Sequence, residues 1–235
     1  IIFLIIIEIK KKYYLCNLII KNYMGLYSRK KLDNGAEISI WEIVEDEDDL
    51  RRSCTPIPNE ELEELSLIKS KARRKEKLAI RALLNVLYPE KVYLGHHDNG
   101  KPYIQNNLTE ISISHTSRFA VIITHPELDV GIDIESLNRD FSPVEKKALS
   151  EEELDDLSSK NRTLQLAIYW CAKEAIFKRM SVNGIDFAEQ IEIEKFTPHD
   201  DGELDAVFID KSGDEEEFEL QYEIIDDHVM VWIVG

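Results

Sequence analysis

The chain has 235 residues and a formal net charge of −17. It is long enough for one large core or two small ones, and too acidic overall to coat a nucleic acid or an anionic membrane. Three cysteines, Cys16, Cys54 and Cys171, are too few and too scattered for a disulfide framework or a zinc site, so a reducing cytoplasm is the expected compartment.

Residues 1–23 open with an apolar run too short to span a bilayer and without the basic leader of a signal peptide. The first methionine is Met24, and residues 1–23 are expected to be a spurious or disordered N-terminal extension. The segment AEISIWEIV then alternates as a strand, and a helical region rich in Leu, Glu, Lys and Arg is expected over 59–88, ended by Pro89. Within it KSKARRKEK puts Lys69, Lys71, Arg73, Arg74, Lys75 and Lys77 in nine residues, a local positive patch suited to an anionic partner or simply a solvated face. A hairpin around Asp98-Asn99-Gly100 follows, then strands EISISH and FAVIIT joined at His115-Thr116-Ser117. DVGIDIE is a further strand. Helices are expected over 142–160 and 162–179, and three or four strands over 191–234. The order of elements divides the chain into halves at 24–128 and 129–235, the second carrying the residues best suited to chemistry.

In VGIDIES the period of two puts Val130, Ile132 and Ile134 on one face and Gly131, Asp133 and Glu135 on the other. Two carboxylates so spaced can converge on one cation; read alone they also fit a solvent-facing acidic edge. The helix LQLAIYWCAKEAIFKRM is apolar almost all round and should be buried, yet it carries Lys173, Glu174 and Lys178. Charges on such a helix need partners. Glu174 and Lys178 lie one turn apart and could simply pair, or Glu174 could join Asp133 and Glu135 around a hard cation such as magnesium while Lys178 meets phosphate oxygens. Ser114, His115 and Thr116, at a strand end, could donate to a phosphate, and Lys101 sits in a turn. The acidic runs 45–49 and 151–153 read as helix starts or surface charge.

Together these pieces resemble a family. GIDIE at 131–135, followed by WCAKEAIFK at 170–178, is similar to the two signature motifs of 4′-phosphopantetheinyl transferases, the second of the form W-x-x-K-E-[AS]-x-x-K. GKP at 100–102, SHT at 114–116 and LSEEEL at 149–154 match in order and approximate spacing, so the likeness spans about 65–187. The length resembles the surfactin-synthetase-activating type rather than the short trimeric holo-acyl-carrier-protein synthase type. The stretch SVNGIDF departs from the Gly-x-Gly-Leu-like loop that follows the second motif in many members.

The resemblance implies an α+β fold of two similar α/β subdomains in a pseudo-twofold arrangement, each a small antiparallel sheet packed with a long helix. It implies an enzyme, a 4′-phosphopantetheinyl transferase with holo-acyl-carrier-protein synthase activity, that moves the phosphopantetheine arm of coenzyme A to a serine of an apo acyl or peptidyl carrier protein. Adenosine 3′,5′-bisphosphate is released. By position it makes Asp133, Glu135 and Glu174 the Mg2+ ligands, with Glu174, Lys178 and Asp133 catalytic. Lys173 and Lys178 fall near the diphosphate, while Ser114, His115 and Lys101 serve the nucleotide and 3′-phosphate. One of Arg73 and Arg74 contacts the coenzyme from the first half. A monomer is expected, with neither nucleic acid nor membrane as partner. A non-catalytic carrier-protein or coenzyme A binding module, or another magnesium-dependent phosphoryl-transfer enzyme, would share parts of this pattern.

Overall fold

The computed structural model describes residues 25–88, 90 and 92–235; the proposed extension 1–23, and Pro89, lie outside the described residues. Strands β1 (Leu26–Lys31) and β2 (Glu37–Glu42) pair antiparallel, followed by α1 (Glu47–Ser53), α2 (Asn59–Leu67) and α3 (Lys71–Leu87). The hairpin β3 (Leu94–His96) and β4 (Pro102–Ile104) leads to β5 (Glu110–His115), β6 (Phe119–His125) and β7 (Val130–Ser136). Then come α4 (Ser142–Lys147), α5 (Glu151–Asp155), α6 (Arg162–Met180), α7 (Phe187–Gln190) and strands β8 (Ile191–Ile193), β9 (Asp201–Ile209), β10 (Glu215–Ile225) and β11 (His228–Val234). The fold is α+β. One sheet has the order β1-β2-β6-β5, a second β7-β11-β10-β9-β8, and β3-β4 stands apart.

Three expectations need adjusting. The region 59–88 is two helices rather than one, because the Ser70 side chain accepts from Arg73 N and starts α3 afresh. Likewise 142–160 holds two short helices, the second begun by a capping box of Ser150 and Glu153. Strand β1, mostly exposed and charged, has no apolar alternation to announce it. The acidic run at 45–49 does start a helix, with Asp46 as N-cap of α1.

Three apolar layers organise the molecule. Leu78, Leu83 and Leu84 of α3 pack on Trp41, Ile111 and Ile122 of the first sheet. Ile168, Ala172 and Ile176 of α6 pack on Leu220, Val231 and Ile233 of the second. Between the sheets, Ile38, Ile40, Val121 and Ile123 meet Val130, Ile132, Ile134 and Met230. Each sheet is thus apolar on both faces near the join. The strand alternation of β7 is realised as read: its isoleucines enter the inter-sheet layer, and Gly131, Asp133 and Glu135 turn to α6.

Gly131 sets how near α6 can come. A Cβ there would lie 1.9 Å from the Ala175 carbonyl oxygen, so any larger residue pushes helix and strand apart. On its far side α6 is held by Lys173, which is fully buried. Its Nζ donates to Glu153 Oε2 at 2.6 Å and to the carbonyls of Phe187 and Ile191 at 2.8 and 2.7 Å. Glu153 in turn accepts from Ser150 N at 2.9 Å and Ile193 N at 3.0 Å. Every donor and acceptor of this buried pair is engaged around α5, α6, α7 and β8, which is the condition for such a pair to persist. Lys173→Met should therefore cost about 3–5 kcal/mol in urea denaturation, the usual toll of stranding one buried charge, with partial recovery in Lys173→Met/Glu153→Gln. A loss under about 1 kcal/mol in the single variant would show that the pair does not hold α6.

Candidate active site

The site begins at a seam. Strand β7 is an edge of the second sheet and β5 an edge of the first, and they lie side by side without pairing. The seam is closed by hydroxyls: Ser112 Oγ accepts from Ile132 N at 3.2 Å, and Ser114 Oγ accepts from Ile134 N at 3.3 Å. Ser114 also donates to Asp133 Oδ1 at 2.7 Å. From α6, Lys178 Nζ reaches the same oxygen at 2.6 Å and the Ile132 carbonyl at 3.0 Å. The edge of β7 thus meets its backbone requirements with side chains from both halves.

Lys178 therefore does not pair with Glu174 one turn away; its partner is Asp133 across the join. This accounts for an ammonium on the apolar arc of α6. Asp133 is buried, and its Oδ2 has no hydrogen-bond partner. Glu135 accepts at Oε1 from Trp170 Nε1 at 3.1 Å and from Arg139. Burial raises the Glu135 pKa above the usual carboxylate range and the nearby Asp133 charge adds to this, against the pull of Arg139. Glu174 goes further, to about 7, because it is desolvated and faces Asp133 and Glu135, offset in part by Lys178. The three carboxylates of the two motifs share one electrostatic neighbourhood. Among the described residues, however, no three His, Cys, Asp or Glu side chains are gathered tightly enough to clasp a metal as they stand. The positive charge in contact with Asp133 and Glu135 comes from Lys178 and Arg139.

Beside this cluster lies a cavity of about 360 Å³ between the halves. Its walls come from α3, the β3-β4 hairpin, β5 and the end of α6, and include Lys101, His115, Phe177 and Lys178. Asn99 at the hairpin tip ties the two sides by donating to the Ser181 carbonyl at 2.7 Å. His115 is half-exposed, with Nδ1 3.4 Å from Glu76 Oε2. Desolvation lowers its pKa, opposed by Glu76 and aided by Lys178 and Arg73. Lys101 pairs with Asp129 and Glu110. Lys178, Lys101 and His115 are thus wall residues of one cavity, and Ser114 is buried next to His115 in β5, against Asp133.

Two expected site residues are not there. Lys173 is sealed in the core on the opposite side of α6, so the expectation that it meets a diphosphate is corrected: a fully buried ammonium with three protein partners has no face left for a ligand. Arg74 is likewise spoken for, donating to both Glu47 oxygens at 2.8 and 2.9 Å and to the Ile68 and Lys69 carbonyls. Of the arginine pair, Arg73 is the exposed one, near enough to His115 to depress its pKa. In the rest of the basic stretch Lys77 pairs with Glu64, leaving Lys69 and Lys71 exposed beside Arg73. The sequence did not single out Ser112 or Arg139; Glu153 stood only within the run 151–153, its place three residues after Ser150 the signal of a capping box.

The charge on Glu174 can be tested without any ligand. Its folded-state pKa of about 7 lies above the ordinary carboxylate value, so the fold binds that proton more tightly than the unfolded chain. The resulting stabilisation is present at low pH and lost as pH rises through the folded-state value. In chelator-containing buffer the melting temperature of Glu174→Gln should therefore gain on that of the parent from about pH 5 to about pH 8. A constant difference across that range would mean that Glu174 titrates like an exposed carboxylate.

The half of the chain that carries GIDIE and WCAKEAIFK also carries the family likeness. A comparison with curated proteins returned no match. Residues 129–232 match the family model of the 4′-phosphopantetheinyl transferase superfamily.

Proposed function

We propose that the protein transfers the 4′-phosphopantetheine arm of coenzyme A to a serine hydroxyl of an apo acyl or peptidyl carrier protein, releasing adenosine 3′,5′-bisphosphate. The superfamily match over residues 129–232 supports phosphopantetheinyl transfer in general. The observation that carries the rest is the Asp133 carboxylate, buried with Oδ2 unpartnered and with Oδ1 held by Ser114 and by Lys178, whose side chain lines the cavity between the halves.

A buried carboxylate oxygen with no hydrogen-bond partner calls for one, and the charges of Glu135 and Glu174 lie in the same neighbourhood. That donor set fits a hard divalent cation, with Asp133, Glu135 and Glu174 the residues that would hold it. Magnesium, when bound, supplies charge that offsets the negative charge developing on the diphosphate.

The chain's own residues do the rest. Lys178, fixed by Asp133 and the Ile132 carbonyl, keeps an ammonium at the cavity wall where a phosphate oxygen can meet it. Its anchoring leaves little reorganisation to be done during reaction. Lys101 and His115 contact other phosphate oxygens of the coenzyme, and Arg73 stands near His115 from the first half. Glu174, tied by no hydrogen bond among the described residues, takes the proton of the attacking serine.

Intact-mass analysis of apo carrier protein incubated with the enzyme, coenzyme A and magnesium tests the reaction. Glu174→Gln should lower turnover by at least about a hundredfold while coenzyme A still binds, since shape is kept and the charge that would both accept the proton and help hold the cation is lost. Asp133→Asn should lose as much, and also raise the magnesium concentration for half-maximal rate. Near-normal turnover in Glu174→Gln would overturn its assignment as base. Failure of the parent protein to add mass to any apo carrier tried would count against the transferase reading itself.

A further inference from the structure

Two protein cations neutralise the carboxylate cluster, and they are held differently. Lys178 is wedged between helix and strand, with a strand carbonyl as well as Asp133 for a partner. Arg139 comes from the turn that follows β7, where its backbone N–H closes onto the Ser136 carbonyl at 3.0 Å. Its side chain is 39% exposed and its guanidinium ends on Glu135. Apart from that ion pair it meets ring faces, with Cζ 5.3 Å from the Trp170 ring and 5.4 Å from the Phe141 ring. Such contacts at a partly exposed site are weak, so the guanidinium can leave cheaply. Trp170 in turn donates its indole N–H to the very oxygen, Glu135 Oε1, that Arg139 holds.

We propose that Arg139 is the displaceable counter-cation of Glu135: it orients and neutralises this carboxylate in the free protein and gives way when a divalent cation binds, with Trp170 registering the exchange. The inference rests on the reading of Asp133, Glu135 and Glu174 as cation ligands. It makes Arg139 a positioning residue that sets cation affinity. A resident positive charge beside a ligand carboxylate weakens binding of a second cation by simple repulsion, and removing it strengthens binding.

The test uses the full chain without coenzyme A. MnCl2 and MgCl2 are titrated by calorimetry and, in parallel, by tryptophan emission, for the parent, Arg139→Gln, Arg139→Lys and Trp170→Phe. Arg139→Gln should bind Mn2+ at least about fivefold more tightly than the parent. Arg139→Lys, which keeps the charge, should stay near the parent. The parent's emission should change on binding, and Trp170→Phe should lose that change while still binding the ion. Equal or weaker binding by Arg139→Gln, with the parent binding normally, would overturn the competition and leave the cation reading intact. Absence of binding in both parent and Arg139→Gln would overturn the cation reading and this inference together.

Discussion

Asp133 is the point at which the two halves and the long helix of the second half are fastened to one another. Its Oδ1 accepts the Ser114 hydroxyl from the first sheet and the Lys178 ammonium from α6. A carboxylate this deeply buried is tolerated only because those donors are charged or well aligned. The arrangement in turn depends on how closely α6 lies on β7, which Gly131 permits and the Lys173–Glu153 pair secures from the other side. The active-site geometry is therefore a by-product of packing. The same contacts that bury the helix leave one oxygen of Asp133 without a hydrogen-bond partner.

The two lysines of α6 divide the labour that the sequence left open. Both sit on a largely apolar helix, five residues apart, which puts them on different faces. Lys173 closes a network entirely within protein and leaves nothing over for a ligand. Lys178 shares its charge between Asp133 and a cavity wall, so part of its hydrogen-bonding capacity is open. One residue fixes the helix and the other uses that fixation.

Much of this was legible beforehand because it rests on local periodicity. The alternation of β7, the hairpin at Asp98-Asn99-Gly100 and the strands 110–115 and 119–125 follow from side-chain pattern and turn chemistry. Asp133, Glu135 and Glu174 could be grouped because a buried helix carrying charge demands partners. The roles of Lys173, Arg74, Ser112 and Arg139 were not legible, since each depends on a contact distant in sequence or on which way a side chain turns. A wheel shows that Lys173 and Lys178 point apart; it does not show that Glu153 awaits one of them. Strand β1 was missed because an edge strand with one solvated, charged face has little apolar signal.

The serine-lined seam has a consequence for the protein's behaviour in a crowded solution. Strands β5 and β7 each end a sheet, and a bare edge is a template for another chain. Here the Ser112 and Ser114 hydroxyls and Lys178 take up backbone groups of β7 that an intruding strand would need. The two outer edges are blunted by other means, β1 by exposed Arg29, Lys30 and Lys31 and β8 by a length of only three residues. A loss of Ser112 and Ser114 would thus reach beyond the site, turning an internal join into a surface on which copies of the chain can add to one another.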